Sequence, residues 1–463
     1  MYLKRFLKTR PLLFSTLLLI RTFYIDLIAL VKELYSKWLL EVYHHQRFTW
    51  YANLILKIIE EEFIPSVLLE NANKSYISGS GFNEAQKYSF LSHKKNEDLI
   101  SSFIIKKEGV QVEFLDSSWV TSIGHTSLLS MFPKIEQCNL DDKRQKIIFY
   151  SLSANEAYLN LFSDYFSLIK LKPEKLRRLQ REIRPILKNM GSIRIKDKRY
   201  TEYSAQNLIE HKYRELFGNS KTFFAKNIIY ERVFDHGLIN KFGLHPGKFV
   251  SFHVRNIPTH ISRSGNNADL ATYIKAIEYL VKIGIPVVIL GHSQMPKIIN
   301  LIQSNLIFDY AHSENKCDNL DLYFMSNAAF VVGTASGPIN IPNDFGIPSL
   351  YTNLVHLGFN FDIRGYAIPH LFKNLDSGKY LSYSQMIKSQ LAWTSRETDQ
   401  NISRIRNTEF QILKGVQTMV NEFYENKHEK WIKNRMSQKF DGQRPTLTIE
   451  PHFYESNYDL FNS

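Results

Sequence analysis

The sequence predicts an α/β fold with two parallel sheets. From about residue 109 the chain alternates short apolar runs with amphipathic stretches, in the order strand, loop, helix, strand. Strands separated by helices pair in parallel and are joined by right-handed crossovers, which gives a doubly wound sheet. At 463 residues the chain also exceeds what one hydrophobic core usually supports, so two domains with extensions are expected.

Residues 1–108 are predicted to form an N-terminal helical extension. Basic residues precede the apolar run PLLFSTLLLI, but Arg21 ends that run after ten residues. A membrane-spanning helix needs about 20 apolar residues, and the A-x-A-like cleavage site of a secretory signal peptide does not follow the run. We interpret the segment as a basic amphipathic helix on the inner membrane face, with a plain core helix as the alternative.

The first α/β domain is predicted at 109–245. It begins with the alternating run VQVEFLD, followed by a strand end, a Gly124–His125 turn and a helix. A buried strand, KIIFY, then leads through a turn that contains Asn155 into another helix. The remainder, 171–245, is mostly charged and helical in its spacing, and we interpret it as a crossover to the next domain.

The second α/β domain, 246–385, shows the alternation more clearly. Strands are predicted at KFVSFHV, IPVVIL, LIFDYA, AFVVG and PSLYTN, with helices between them. The last part, 386–463, is predicted to contain C-terminal helices, with TEFQILKGVQTMVNEFYE the clearest, and an irregular tail. In a doubly wound sheet a ligand binds beyond the carboxyl ends of the strands, so polar residues at those ends are the candidates for function.

The net charge limits the class of binding partner, and the cysteine content limits the kinds of disulfide and metal site. The formal net charge of +13 favours an anionic partner: a nucleotide, a nucleic acid or an acidic membrane surface. Nucleic acid is the least favoured, because the aromatic residues lie mostly at core spacing rather than among the basic ones. Cys138 and Cys317 stand far apart, so the sequence has neither a disulfide framework nor a CxxC metal cluster, which fits a cytoplasmic protein.

A corner of small residues follows the predicted strand AFVVG. It consists of Gly333, Thr334, Ala335, Ser336 and Gly337. Small side chains let a ligand approach the backbone N–H groups, and the start of the next helix carries partial positive charge, so the corner predicts an anion site. A tight turn with Ser336 as the helix N-cap is the alternative. The sequence contains neither a GxGxxG fingerprint nor a GxxxxGK[ST] phosphate loop to decide between them.

Other strand ends of the second domain add polar candidates. His253 and Arg255 stand at the carboxyl end of its first strand, where alternation sends both side chains the same way. Arg grips a phosphate with its planar guanidinium, whereas an Arg that caps a helix end is the alternative. A third strand end contributes His312 and Asp321, and for Asp321 we prefer the alternative of an acidic residue in a first helical turn.

Several stretches carry a resemblance over roughly 247–385. They are FVSFHVRN, YIKAIEYLVKIGIPVVILG, DYAHSENKCDNLDLYFMSNAAFVVGTASGPINIPNDFGIPSLYTN, IPHLF and LSYSQM. Together they resemble a bacterial family of surface-polysaccharide glycosyltransferases, which implies a GT-B-like pair of Rossmann-like domains. The H-x-R strand end is also similar to that of fucosyltransferases that use GDP-fucose, where an Arg binds the donor diphosphate. The acidic residue that usually follows H-x-R in the family is Asn256 here, so an acid role is not carried over.

The resemblance implies transfer of a sugar from a nucleotide-diphosphate sugar to a glycan or lipid-linked acceptor, without any other cofactor. A DxD motif does not stand at a strand end, so no metal ion is expected. Arg255 and the corner would stabilise the departing diphosphate, and the remaining donor-binding candidates are His253, Arg263, His312 and Asp321. His125 is the candidate base for an inverting transfer, with a turn-capping His as the alternative. A binding protein without transfer activity, or a nucleotide-sugar epimerase, is the competing interpretation.

Overall fold

The computed structural model of the chain describes 75–76, 112–140, 145–182, 187–188, 193–195, 198–200, 202–218, 222–224, 236–256, 267–354, 364–388, 401–424 and 448–462. The chain divides into two compact units. The larger contains 66–81, 112–176 and 188–463, and the smaller contains 1–65, 82–111 and 177–187. The predicted membrane-associated segment lies outside the described residues, as does Arg263.

The strands are β1 (Ser75–Tyr76), β2 (Val112–Leu115), β3 (Gln145–Tyr150), β4 (Ser167–Lys170), β5 (Leu187–Lys188), β6 (Ile193–Ile195), β7 (Lys198–Tyr200), β8 (Val250–His253), β9 (Val287–Leu290), β10 (Ile307–Phe308), β11 (Phe330–Thr334), β12 (Ser349–Leu354), β13 (Gly365–Pro369), β14 (Leu371–Asn374) and β15 (Ile402–Ile405).

The α-helices are α1 (Ile123–Ser127), α2 (Met131–Gln137), α3 (Glu156–Asn160), α4 (Pro173–Glu182), α5 (Glu202–Phe217), α6 (His236–Phe242), α7 (Ile274–Lys282), α8 (Asp318–Ser326), α9 (Ile341–Asp344), α10 (Tyr383–Lys388), α11 (Glu409–Met419), α12 (Pro451–Ser456) and α13 (Tyr458–Asn462). Short 3₁₀ turns occur at Ser117–Trp119, Leu128–Ser130, Leu270–Tyr273, Ile298–Asn300, Tyr310–His312 and Gly337–Asn340, and a π-helical turn at Val420–Tyr424. None of the helices described here is both long and apolar enough to cross a membrane.

The first sheet has the strand order β4-β3-β2-β5. β2, β3 and β4 pair in parallel, with Leu115 opposite Ile148 and Ile148 opposite Leu168. Leu115, Ile148 and Phe149 are fully buried, as expected for a parallel sheet whose two faces are both covered. The first strand of this sheet in chain order, β2, lies inside the sheet, between β3 and β5, so its carboxyl end borders the place where the strand order reverses.

The second sheet has the order β10-β9-β8-β11-β12-β13, and all of these pairings are parallel. Counted along the chain, this is the 3-2-1-4-5-6 order of a Rossmann sheet, which reverses direction between its first and fourth strands. Here those strands are β8 and β11, paired from Phe330 opposite Val250 to Gly333 opposite His253. The predicted α/β class with two parallel, Rossmann-like sheets is confirmed.

The structure differs from the predicted local structure in four places. Ser75–Tyr76 form a strand inside the predicted N-terminal helical extension, and β6 and β7 form a hairpin inside the predicted helical crossover. His125 lies in α1 rather than in a turn, and the predicted irregular tail contains α12 and α13, preceded by Ile449, which bridges Ala367. The pairing of β1 with β6 and the bridge between Ile449 and Ala367 join residues that are distant in the chain. Local periodicity does not register such pairing.

Candidate functional site

The reversal point of the second sheet brings two predicted residues to one edge. His253 ends β8, beside Gly333 of β11, and its Nδ1 lies 3.1 Å from the Ser336 hydroxyl. Ligands of doubly wound sheets bind in the crevice that opens where the strand order reverses. The strand order therefore locates the candidate binding site at His253 and the corner that follows β11.

Arg255 is fixed at this edge through both its backbone and its side chain. Its backbone N–H donates to Oγ1 of Thr334 at 3.0 Å, and its carbonyl oxygen accepts from Ala268 N at 2.8 Å. Its Nε donates to Oδ1 of Asn267 at 3.1 Å. A guanidinium held in this way loses little side-chain entropy when it binds an anion, which is the advantage of a preorganised site.

Positive charge surrounds His253. Burial lowers the pKa of His253 to about 4, and the charges of Arg255 and Lys316 add to this effect. Lys316 is exposed, and its Nζ donates to the carbonyl of Gly291, just beyond β9, at 2.6 Å. At neutral pH the His253 ring is uncharged while both basic side chains are charged, so this edge of the sheet favours an anion. Sequence reasoning missed Lys316, although it lies in the same strand-end loop as His312.

Packing explains two glycines of the corner. A Cβ atom at Gly333 would lie 2.8 Å from the carbonyl oxygen of His253, and one added at Gly337 would lie 2.9 Å from Cα of Gly124. Both contacts are shorter than real Cβ atoms make, so neither Gly333 nor Gly337 can be exchanged freely. The small size of the corner is therefore required first of all by close backbone packing.

The rest of the corner departs from the sequence interpretation. Ser336 stands at the N-cap position, but its hydroxyl contacts His253 and donates to the Thr334 carbonyl at 3.2 Å instead of capping the helix. The following helix consists only of the 3₁₀ turn Gly337–Asn340 and the four-residue α9. Because so short a helix has a weak dipole, the basic side chains are the main source of positive charge at this edge. Thr334 and Ala335 are buried.

His312 and Asp321 are held by their own loop and helix. His312 Nδ1 lies 2.9 Å from Oδ1 of Asp309, and its Nε2 lies 2.9 Å from the carbonyl oxygen of Met295. Asp321 lies in the first turn of α8, in agreement with the preferred alternative. Burial raises the pKa of Asp321, while the Lys316 charge opposes the rise. In these positions both residues stabilise the strand-end loop, and their contact with a donor stays a prediction.

The candidate base, His125, is anchored to the turn that follows β2. Asp116 follows the strand, and its Oδ1 accepts hydrogen bonds from the backbone N of Ser118, at 2.9 Å, and from the Ser118 hydroxyl. The carbonyl oxygen of Ser118 lies 2.8 Å from Nδ1 of His125. A carbonyl can only accept, so this contact assigns the ring proton to Nδ1 and leaves Nε2 as an acceptor. Sequence reasoning missed Asp116. The signal that could have found it is its position, since it is an acidic residue directly after the strand VEFL.

The two sheets meet at these strand ends. α1 packs on the 3₁₀ turn Gly337–Asn340, with Gly124 against Gly337. Nearby, the N-termini of α3 and α8 are joined: Asn155 Nδ2 donates to the carbonyl of Asp318 at 3.1 Å, and Glu156 N donates to Oδ2 of Asp318 at 2.7 Å. Asn155 also accepts from Tyr158 N, so its side chain is occupied by contacts within the protein.

A buried polar cluster lies behind this contact. Lys134 Nζ contacts Glu210 and lies 3.5 Å from Oδ1 of Asp344, whose Oδ2 accepts from the Tyr158 hydroxyl. Burial raises the pKa of Asp344, and the Lys134 charge opposes the rise. Asp344 is only 3% exposed, so its carboxylate is turned into the protein. Asn340 accepts from the Tyr351 hydroxyl at 3.1 Å.

The described residues do not place three or more His, Cys, Asp or Glu side chains together in a group that could hold a metal ion.

The sequence matches no family model and no curated protein. The fold is similar to that of a glycosyltransferase family 9 protein from Veillonella parvula, with 11% identity, 67% of this chain and 97% of that chain covered, and a TM-score of 0.40. It is also similar to the iron-containing dodecameric glycosyltransferase TibC from enterotoxigenic E. coli, with 13% identity, coverage of 68% and 76%, and a TM-score of 0.36. A third similar structure is the E. coli heptosyltransferase WaaC with ADP, with 11% identity, 56% of this chain and 91% of that chain covered, and a TM-score of 0.35.

Proposed function

We propose that this chain is a glycosyltransferase that moves a sugar from a nucleotide-diphosphate sugar to a glycan or lipid-linked acceptor. The observation that carries the proposal is the close packing of Gly124 on Gly337. It brings the α1 helix, which carries the candidate base His125, directly onto the corner of the second sheet, where the candidate anion site lies. A donor and an acceptor bound at these two strand ends would react where the sheets meet.

The second sheet would hold the donor. Its reversal point is where Rossmann sheets bind nucleotides, and Arg255 is fixed there with Lys316 nearby. Two basic side chains around an uncharged His253 suit the two phosphates of a nucleoside diphosphate, which a planar guanidinium binds through paired hydrogen bonds. Two Rossmann-like sheets also fit the GT-B arrangement that the sequence resemblance implies.

The first sheet would supply the base. The acceptor hydroxyl oxygen forms a bond to the sugar carbon, while the bond from that carbon to the diphosphate oxygen breaks and its electron pair leaves with the diphosphate. Nε2 of His125 takes the acceptor proton, because Nδ1 already donates to Ser118. Arg255 and Lys316 stabilise the negative charge that develops on the diphosphate. A single displacement of this kind inverts the sugar carbon, and it needs no metal ion if the two basic side chains neutralise the leaving group.

The acceptor side of the proposal depends on the N-terminal segment. Its basic amphipathic character would keep the enzyme on the inner membrane face, where lipid-linked acceptors of surface-polysaccharide synthesis are found. The protein would then work in the cytoplasm, at the membrane surface.

Binding of nucleoside diphosphates tests the proposal most directly. We would record thermal unfolding of the full chain without added metal, in the presence of GDP, UDP, ADP or TDP, or of CMP. One diphosphate should raise the melting temperature of the native chain, and Arg255→Ala should abolish the rise. Lys282→Ala is the matched control, because it removes one exposed positive charge at the C-terminal end of α7, just before β9 begins. If no nucleotide stabilises the chain, the proposed donor site is wrong.

Turnover separates the competing enzyme classes. The donor to test is a nucleotide sugar that contains the nucleoside diphosphate found to stabilise the chain. It should be consumed slowly without an acceptor and faster with one. If the donor is instead rapidly converted to an isomer without any acceptor, the chain is an epimerase. If the donor binds and is not consumed with any acceptor, it is a binding protein.

A further inference from the structure

Asp116 connects the end of β2 to the candidate base. Its Oδ1 holds the backbone N–H and the hydroxyl of Ser118, and so fixes the start of the 3₁₀ turn Ser117–Trp119. The carbonyl of the same Ser118 anchors Nδ1 of His125 at 2.8 Å. The orientation of the His125 ring therefore depends on Asp116 through a single intervening residue.

The charges around His125 single out the same carboxylate. The segments that pack on α1 are the turns Ser117–Trp119, Leu128–Ser130 and Gly337–Asn340, together with α9. Within these described segments Asp344 is the titratable residue, and its carboxylate is engaged by Lys134 and Tyr158. Asp116 stands immediately before the first turn and interacts electrostatically with His125. Burial raises the pKa of Asp116, while the Ser118 hydrogen bonds and the His125 charge oppose the rise.

We propose that Asp116 is a positioning residue for His125: through Ser118 it keeps the ring proton on Nδ1 and Nε2 available, and its carboxylate stabilises the imidazolium. The inference rests on the proposed function, in which Nε2 takes the proton of the acceptor hydroxyl as the oxygen bonds to the sugar. The imidazolium so formed would keep its hydrogen bond to the Ser118 carbonyl and interact electrostatically with the Asp116 carboxylate, and both groups favour its positive charge. No proton passes to Asp116 in this step.

The tautomer of His125 tests the positioning role without any ligand. We would record two-bond proton–nitrogen NMR spectra of the full chain at about pH 8.5, where an ordinary histidine is neutral, and assign the His125 signals with His125→Gln. The native chain should show the Nδ1–H tautomer. Asp116→Ala should shift the population toward Nε2–H, whereas Asp116→Asn should preserve Nδ1–H, because an amide oxygen can still accept from Ser118.

Asp269 offers a matched control. It caps the 3₁₀ turn Leu270–Tyr273 in the same manner, with Oδ1 accepting from Ala271 N at 3.0 Å, and it precedes α7 rather than α1. Asp269→Ala should leave the His125 tautomer unchanged. The positioning role is overturned if Asp116→Ala keeps a native-like Nδ1–H signal, or if Asp269→Ala shifts the tautomer equally.

Turnover tests the electrostatic role. With the nucleotide sugar of the stabilising diphosphate, Asp116→Asn should lower kcat by about tenfold or more and leave the KM for the donor within about twofold, because only the protonated ring needs the carboxylate. An unchanged kcat, or a loss entirely in KM, contradicts the role. If Asp116→Ala does not fold, Asp116→Asn still decides through kcat. A failure here with intact diphosphate binding rejects the Asp116 inference, while absence of diphosphate binding rejects the proposed function.

Discussion

The backbones of Gly124 and Gly337 pack directly against each other: a Cβ atom on Gly124 would lie 2.9 Å from Cα of Gly337. One glycine precedes the candidate base in α1, and the other ends the corner of the second sheet. Because neither residue has a side chain, α1 and the turn Gly337–Asn340 pack backbone against backbone. The distance between the proposed acceptor and donor sites thus depends on these two residues.

Replacing Gly124 with Ala should destabilise the protein although it improves helix propensity. Ala is favoured over Gly inside a helix by about 1 kcal/mol, but the added Cβ would meet backbone atoms that cannot move independently, at a cost of about 1–3 kcal/mol. We expect a lower free energy of unfolding in urea and a larger loss of transfer than of diphosphate binding.

Gly415 in α11 is the matched control for that substitution. A Cβ there would lie 2.9 Å from the methyl ends of Ile368 and Leu350, which can rotate away. Gly415→Ala should therefore cost less than Gly124→Ala and leave transfer unchanged. Equal losses in the two variants would contradict a special role for the contact between the sheets.

His253 should make the stability depend on pH. Burial and the neighbouring positive charges hold its pKa at about 4, below the ordinary value of 6.5. Between these pH values the unfolded chain binds a proton that the folded chain does not, so the free energy of unfolding rises with pH. His253→Asn should remove about 1–3 kcal/mol of this rise, as measured by urea unfolding at several pH values. Identical pH profiles for both proteins would show that His253 titrates normally.

Asn267 should support the proposed anion site through Arg255. It accepts from Nε of Arg255, so Asn267→Ala should let the guanidinium move and weaken diphosphate binding by about 5–20-fold, or 1–2 kcal/mol. Isothermal titration calorimetry would measure the change. Arg255→Ala should weaken binding more, and adding Asn267→Ala to it should have little further effect. A fully additive double variant would mean that Asn267 acts independently of Arg255.

The buried Lys134 should be strongly stabilising only while its acidic partners are present. Lys134→Met leaves Glu210 and Asp344 without their nearest positive charge, and we expect a loss of about 3–5 kcal/mol in urea unfolding. Adding Asp344→Asn should recover part of that loss, because one uncompensated carboxylate is removed. A double variant that is less stable than Lys134→Met would rule out this electrostatic explanation.

Five of the six strands of the second sheet were predictable because each is a local apolar run, whereas β13 (Gly365–Pro369) was not predicted. The stretches KFVSFHV and AFVVG predict β8 and β11 from local residues alone. Their alternation with helices indicates parallel pairing. His253 and Arg255 follow from the same argument, since a polar residue at the end of a buried strand stands out locally. Lys316 does not stand out, because one exposed Lys among polar loop residues carries no periodic signal.

By itself the sequence determined the α/β class, five of the six strands of the second sheet and the polar residues at their carboxyl ends, because these depend on hydrophobic periodicity along a few neighbouring residues. The tertiary structure decided which strand ends become neighbours. The order that places β8 beside β11, the packing of Gly124 on Gly337 and the turning of Asp344 into the protein all join residues far apart in the chain. Such contacts are selected by the packing of the whole core, and no local pattern encodes them.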